Sequence, residues 1–213
     1  MIQILHLYHD LMNLYGDWAN VAAMEQELIA RGSEVIVDKK SVGDDIHFDS
    51  YDFVYIGSGT ERSQLACMRD LKQHKDAFIE RIDAGISVLA TGNSHELFGQ
   101  AVMDHDGNRH EMLGLLDFET IRLNTRVTGD CFCKASFIDE TMIGFINRAG
   151  GSQKGDIKRP FLIEPREGAN FKACAEGIEY KNVLGTYLTG PILVRNLPLL
   201  HYFGNKTALF PSE

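Results

Sequence analysis

The sequence predicts an α/β protein in which an open, mostly parallel sheet is flanked by helices and followed by a β-rich second half. Short apolar runs alternate with helical stretches through about the first 100 residues, which is the pattern of parallel βαβ units. From Gly114 onward, strand-like segments dominate without clear intervening helices. No repeat, low-complexity tract or linker divides the 213 residues. We therefore expect a single domain over residues 1–213.

The elements of the first half follow from apolar runs and the residues that interrupt them. The predicted strands are Ile2 to Leu7, Val35 to Val37, Tyr51 to Gly57 and Ser87 to Thr91. A helix follows the first strand: Gly16 and Asp17 open it, with Asp17 as its N-cap, and Gly32 ends it. The stretch from Ser63 to Ala84 predicts two helices with a break near Gln73 and His74.

The second half is predicted as strands with a short terminal helix. The strands are expected over Thr125 to Phe137, Thr141 to Phe145 and Ile178 to Leu188, and the helix over Leu193 to Phe203. Cys131 and Cys133 fall two residues apart on a strand, so both point to one face. No second Cys/His pair lies nearby to complete a zinc site. We expect buried structural thiols, no metal site and no cofactor.

Composition and charge exclude several classes of protein. Lys and Arg number 21 against 30 Asp and Glu, a formal charge of −9, which argues against a nucleic-acid binder with a basic face. No segment approaches the roughly 20 apolar residues that a membrane-spanning helix needs. The N-terminus has neither the basic region nor the cleavage site of a signal peptide. A cytoplasmic protein without a membrane span is therefore expected.

Three loops are predicted to form one candidate site. Ligands of open α/β sheets bind beyond the carboxyl ends of the strands. The loops at those ends are His9 to Asp17, Gly57 to Gln64 and Gly92 to Glu96. This topology alone predicts that they converge.

Gly92 lies where an apolar strand turns sharply into a helix, in the segment VLATGNSHELFGQ. This is the form of a nucleophile elbow, in which a strained turn presents a reactive side chain and nearby backbone N–H groups face a developing oxyanion. Glycine tolerates positive φ there, so Gly92 retains the turn but supplies no reactive atom. A glycine that simply serves a strand-to-helix turn is the alternative.

Several segments, in chain order, resemble the cobyric acid synthase-type class I glutamine amidotransferases, and within them the small glutaminase subunits of lipid II isoglutaminyl synthases. The segment around Gly92 resembles that family's CGGYQLLGQ, and EYKNVLGTYLTGP resembles its GTYLHGP. LYHDLMNLYGD resembles LYPDLMNLYGD, and GSGTERSQ resembles GGGQDREQ. The resemblance covers about residues 7–196 and implies a flavodoxin-like class I amidotransferase fold.

The resemblance implies a cysteine and a histidine that release ammonia from glutamine for an ATP-dependent, Mur-ligase-like partner. In this chain the cysteine position is Gly92 and the histidine position is Thr189. Neither residue can perform the chemistry of the pair. The segment GFINRAGG also departs from the family, with Ile146 and Arg148 at its acidic and histidine positions. We therefore predict no intact catalytic residue and a binding or partner subunit without glutaminase activity.

The resemblance also assigns residues to substrate binding. Arg126 aligns with an arginine implicated in glutamine binding in the family, and a guanidinium fork suits a carboxylate. A solvated arginine at a strand end is the alternative. Gly57, Ser58, Gly59 and Asn93 fall in the family's substrate-binding loops, with Ser58 replacing a glycine.

Two other functions stay open on the sequence. One is an active amidotransferase or hydrolase with a relocated nucleophile, for which Ser94 and His95 are the nearest candidates. We expect His95 to face solvent or cap the helix start, and a serine without a positioned base to be weak. The other is a free-standing sensor or scaffold without a synthetase partner.

Overall fold

The computed structural model describes residues 1–209, and at its centre is a six-stranded sheet. In spatial order its strands are β11 (Ile178–Tyr180), β12 (Val183–Thr186), β4 (Ser87–Thr91), β3 (Phe53–Ile56), β1 (Ile2–Leu7) and β2 (Val35–Lys40). Five strands run parallel, and β11 pairs antiparallel with β12. The predicted α/β sheet is confirmed. Strand β2 ends at Lys40, three residues beyond the predicted end at Val37.

Helices cover both faces of this sheet because its strands are apolar on both sides. On one face, Leu5, Val54 and Val88 pack with residues of α2 (Glu61–Leu71) and α3 (Lys75–Asp83). On the other, alternate residues such as Ile4 and Leu89 pack with α1 (Trp18–Ala30), α4 (Ile192–Arg195) and α5 (Leu197–Leu209).

The helix boundaries follow from local sequence. A 3₁₀ turn over Lys72–His74 separates α2 from α3, as the sequence predicts. Gly32 follows α1 with a φ of 89°, the left-handed conformation that ends many helices. The single terminal helix that was predicted is instead α4 and α5. Pro198 stands in the first turn of α5, where proline is tolerated, so it starts a new helix.

The second half forms a sheet around one long hairpin. Its arms are β7 (Phe118–Ala135) and β8 (Ile138–Gly155), which pair antiparallel. The remaining strands are β5 (Ala101–Met103), β6 (Arg109–Glu111), β9 (Phe161–Pro165), β10 (Cys174–Glu176) and β13 (Leu188–Thr189). Cys131 and Cys133 are both fully buried on β7, so their predicted burial is confirmed.

The prediction of one strand from Ile178 to Leu188 is wrong. The segment forms β11, β12 and β13, and a two-residue turn at Lys181 and Asn182 reverses the chain between the first two. Lys181 has a φ of 50°, the left-handed backbone that tight hairpin turns require.

No helix among residues 1–209 has the length and apolar character that crossing a membrane would take.

Candidate functional site

The three predicted loops meet at a cavity of about 430 Å³. The first loop contributes Leu14 and Tyr15, the second Ser58 to Glu61, and the third Gly92, Asn93 and Glu96. The long hairpin closes the cavity with Arg122, Arg126 and Arg148. The convergence expected from topology is therefore confirmed.

Gly92 adopts the backbone of an elbow. It follows directly on β4, begins a 3₁₀ helix over Gly92–Phe98, and has a φ of 64°. A side chain at this position would meet Ser58, with its Cβ only 2.7 Å from the Ser58 hydroxyl oxygen and closer still to the Ser58 Cβ. Ser58 therefore occupies the space into which an apical side chain would project.

Ser58 is held in that place by Asp17. The backbone N–H and the hydroxyl of Ser58 each donate to Oδ2 of Asp17, both at 2.6 Å. Burial raises the pKa of Asp17 to about 6 although these two hydrogen bonds act to lower it. Asp17 stands at the N-cap position of α1, as predicted, but its side chain makes no cap hydrogen bond. Asn13 accepts from the Trp18 N–H at 2.8 Å instead.

The glycines beside Ser58 allow two loops to pack closely. A Cβ on Gly57 would lie 2.9 Å from the Cβ of Asp17, and one on Gly59 would lie 2.8 Å from the carbonyl oxygen of Leu11. Gly59 lines the cavity, whereas Gly57 lies behind it. The N–H of Gly59 donates to Oδ1 of Asn93 at 3.0 Å. That backbone donor is thereby engaged within the protein.

Thr189 lies on β13, buried, and its hydroxyl donates to the carbonyl oxygen of Phe145 at 3.2 Å. It does not line the cavity; Tyr187, two residues earlier, does. The hydroxyl of Thr189 therefore serves strand packing.

Ser94 and His95 are both fully buried. The Ser94 hydroxyl lies 2.9 Å from the carbonyl oxygen of Ile56 and 2.8 Å from that of Thr91, so it donates to the strand ends. The expectation that His95 faces solvent or caps the helix is wrong. Its Nδ1 bonds the Gly92 carbonyl at 2.7 Å, and its Nε2 lies 3.0 Å from the amide nitrogen of Gln153.

These contacts fix the state of His95. The Gly92 carbonyl can only accept, so Nδ1 carries the proton and Nε2 accepts from Gln153. Burial lowers the pKa of His95 to about 4. The residue is a neutral structural histidine, and the ring of Tyr187 packs against it edge-on, with 4.2 Å between the ring centroids.

Arg126 reaches the cavity from a bulge in β7, where the pairing with β8 shifts between Leu123 and Arg126. Its Nε donates to Oδ1 of Asn147 at 2.7 Å, which orients the guanidinium group. The remainder of the fork has no partner among residues 1–209.

A buried ion pair between Arg122 and Glu96 was not predicted from the sequence. The two side chains are 6% and 3% exposed and form a direct salt bridge. Gln64 donates to Glu96 at 2.8 Å and accepts from Arg122 at 2.6 Å, and Tyr187 donates to Glu96. Burial, the largest single influence, acts to raise the pKa of Glu96, but Arg122, His95, Tyr187 and Gln64 together hold that pKa below its usual value.

A signal for this pair exists in the sequence. Glu96 directly precedes the apolar Leu97 and Phe98 in the short helix, and Arg122 continues the inward face of Phe118 and Thr120 along β7. Two charges at positions that should be buried predict a pair, although their contact depends on the tertiary fold.

The cavity carries excess positive charge. Four arginines line it, with the carboxylates of Glu61 and Glu96. Both carboxylates lie beside Arg122, Glu61 at 3.9 Å. In the described part of the chain, Arg62, Arg126 and Arg148 have no carboxylate within 4.0 Å. The cavity therefore favours an anionic group.

Comparison with known proteins identifies a family and two relatives of similar sequence. Residues 3–197 match the model of the CobB/CobQ-like glutamine amidotransferase domain. The chain is 34% identical over 205 residues to the Staphylococcus aureus (strain N315) lipid II isoglutaminyl synthase (glutamine-hydrolyzing) subunit GatD, covering 96% of this chain and 84% of that one. The subunit of the same name from Streptococcus pneumoniae (strain ATCC BAA-255 / R6) is 34% identical over 202 residues, covering 94% and 78%.

A solved structure shows the same fold. The glutaminase domain of Trypanosoma brucei CTPS, with bound acivicin, superposes with a TM-score of 0.55 at 10% identity, covering 100% of this chain and 97% of that domain. At 10% identity this likeness shows the fold alone. The family match and the two relatives span nearly the whole sequence, and they show the family. The chain belongs to the CobB/CobQ-like glutamine amidotransferase family.

Proposed function

We propose that this protein is a non-catalytic amidotransferase-like subunit, which binds a partner synthetase and does not hydrolyse glutamine. Its relatives are subunits of a glutamine-hydrolysing synthase, which supports a role within a complex. The observation that carries the proposal is the contact at the elbow. Position 92 has no side chain, and the space for one is filled by Ser58.

Two further features support the loss of chemistry. Thr189 stands at the family's histidine position, and a threonine hydroxyl cannot act as a base near neutral pH. The Gly59 N–H, in the loop that resembles the family's glycine-rich loop, is engaged by Asn93. A nucleophile and a base are thus lacking at the positions where the family would have them, and one backbone donor of the loop is already engaged.

The relocated-nucleophile alternative has less support. Ser94 donates to a strand carbonyl group rather than to a base. His95 is neutral, fully buried and bonded at both ring nitrogens. An activated serine needs a base within hydrogen-bond reach of its hydroxyl, and no contact between these two side chains occurs.

Binding without turnover is the remaining role for the cavity. Its unpaired arginines suit a carboxylate, and we place the carboxylate of glutamine or a related amino acid on Arg126. An ATP-dependent, Mur-ligase-like synthetase is the proposed partner. A cytoplasmic location is part of the proposal, because four free thiols suit a reducing compartment.

Calorimetry and co-purification test this function. Glutamine and glutamate are titrated into the wild type and the variants Arg126→Met and Arg166→Met. Arg166 is a matched control, since it is exposed and stacks on Phe132 outside the cavity. We expect binding that Arg126→Met weakens about tenfold or more and that Arg166→Met leaves unchanged. Absence of both ligand binding and co-purification with a Mur-ligase-like synthetase would refute the proposal.

A further inference from the structure

A second cavity of about 340 Å³ lies between the long hairpin and strands β9 and β10. It shares Arg148 and Tyr187 with the first cavity but none of the elbow or of the three loops. Its size is at the lower end of the range of pockets that hold small molecules. It is therefore a second cavity, and the amidotransferase resemblance assigns no function to it.

One wall of this cavity is apolar. Val127 and Ile146 come from the hairpin, Ile163 from β9, and Phe171 from the segment before β10. Such a wall favours a hydrocarbon group, since burial of apolar surface contributes about 25 cal/mol per Å².

The other wall carries two arginines with free donors. Nη1 of Arg159 donates to Gln153 and to the Gly177 carbonyl, and its Nε and Nη2 have no partner among residues 1–209. Arg148 uses Nη1 for the Ala149 carbonyl at 2.8 Å, and its guanidinium carbon lies 4.6 Å from the centroid of the Tyr187 ring. Both arginines line the cavity, and both forks retain donors without a partner among residues 1–209.

The carboxylate in the same cavity forms no salt bridge with these arginines, although its charge interacts with both. Glu176 is buried, and its oxygens accept from the Thr186 hydroxyl at 2.7 Å and from the Tyr187 N–H. Neither arginine comes within 4.0 Å of it. Glu176 is thus satisfied by neutral donors, and the cavity holds two cationic groups against one acid.

We propose that the second cavity binds a small monocarboxylate with an apolar body. The carboxylate lies between Arg148 and Arg159, each of which offers hydrogen-bond donors as well as charge. The apolar body packs against Val127, Ile163 and Phe171. This site is independent of the proposed loss of glutaminase activity.

Cys174 provides a direct probe of this cavity. It lines the cavity and is exposed, whereas Cys67, Cys131 and Cys133 are buried. A maleimide should therefore modify Cys174 first, and a ligand in the cavity should shield it. Burial raises the pKa of this thiol, so the reaction is run at mildly alkaline pH, where more thiolate is present.

The experiment measures the rate of Cys174 alkylation by intact mass in the presence of isovalerate, benzoate or hydrocinnamate. The corresponding primary amides are the matched uncharged controls. We expect at least one carboxylate to slow alkylation about tenfold at about 10 mM, with no effect of its amide. Equal effects of acid and amide, or no protection by any of the three acids, would overturn the proposal.

Variants assign the effect to the arginines. Arg159→Met should abolish protection, and Arg166→Met should retain it. If Arg159→Met does not fold, Arg148→Met is the second test. Arg159 lines only the second cavity, so Arg159→Met should leave glutamine binding unchanged, which separates this proposal from the proposed function. Full protection in both Arg148→Met and Arg159→Met would contradict it.

Discussion

A side chain at position 92 would have to occupy space that Ser58 already fills. Ser58 cannot easily withdraw, because both its N–H and its hydroxyl bond the buried carboxylate of Asp17. The glycine at position 92 and the serine in the facing loop are therefore coupled through one contact. A cysteine introduced at position 92 alone should not fit for steric reasons.

Gly92→Cys should lower the free energy of unfolding by about 2 kcal/mol or more, from the overlap with Ser58 and the left-handed backbone. Adding Ser58→Gly should recover part of that loss, although the same change should destabilise the wild-type background. Urea unfolding of the four proteins gives the coupling energy. Additive effects would show that the two positions do not compete for space.

The Arg122–Glu96 pair leads to a second prediction at the residue scale. Glu96→Gln removes the close partner of a buried guanidinium, leaving it only the half-exposed Glu61, and should cost about 3 kcal/mol or more. Glu61→Gln is the matched control, since Glu61 is half exposed and 3.9 Å from the same arginine, and it should cost less than about 1 kcal/mol. Equal costs in chemical denaturation would mean that the buried pair has no special role.

The sequence could predict residues whose role is local and could not predict those defined by a distant partner. Gly92 was expected to form the elbow because a strand, a glycine and a helix follow one another, and its φ of 64° agrees. Ser58 was assigned to substrate binding only. Its packing against residue 92 was missed because the two residues are 34 positions apart in the chain. His95 was expected at the surface because nothing in its neighbours reveals Gln153, 58 positions away.

At the scale of elements, the hairpin of β7 and β8 carries three of the arginines of the first cavity and, through Arg148, one of the two of the second. Arg126 lies at the bulge in β7, and Arg148 pairs with Val127 on the facing strand. The bulge displaces the register by two residues on β7, which bends the hairpin over the ends of the parallel strands. Binding in either cavity should therefore depend on hairpin geometry.

Gly151→Ala tests how closely the backbones of β7 and β8 approach within this hairpin. Gly151 has a φ of 117°, and a Cβ there would lie 3.0 Å from the carbonyl carbon of Ile121 and closer to its oxygen. Gly107→Ala is the control, because its φ of 84° is also positive but no atom lies within 4 Å. We expect a loss of about 1 kcal/mol for Gly107→Ala and at least twice that for Gly151→Ala. Thermal unfolding that shifts equally in both variants would argue against a close backbone approach.

The elements differ in how far their sequence determined them. β1, β4 and the break between α2 and α3 were predicted because apolar runs and their boundaries are local signals. The division of Ile178 to Leu188 into three strands was missed because β12 joins the parallel sheet while β13 pairs with β8. The strand with which each part of this segment pairs is set by the tertiary fold and not by the local sequence.

At the scale of the whole molecule, buried ionisable groups set the response of stability to pH. Burial lowers the pKa of His6 and of His95 to about 4, so between pH 6.5 and 4 the unfolded chain binds protons that the folded protein excludes. Stability should fall with acidification, by up to about 1.4 kcal/mol per pH unit for each histidine.

Asp17 acts with the opposite sign. Its pKa is raised to about 6, so below pH 6 the folded protein binds a proton more tightly than the unfolded chain. This opposes the decline until the pH falls below about 4. Asp17→Asn should therefore steepen the loss of stability between pH 6 and 4, as measured by urea midpoints. A shallower or unchanged slope would contradict the assignment.

The central claim is that the family's chemistry is absent from this fold, and ammonia release from glutamine tests it most directly. The assay uses the purified chain alone and in the presence of a Mur-ligase-like partner with ATP, beside the Ser94→Ala and His95→Ala variants. We expect no release above the uncatalysed background in any sample. Glutamine-dependent ammonia release by the wild type above that background would contradict the claim, and its loss in either variant would assign the release to Ser94 or His95.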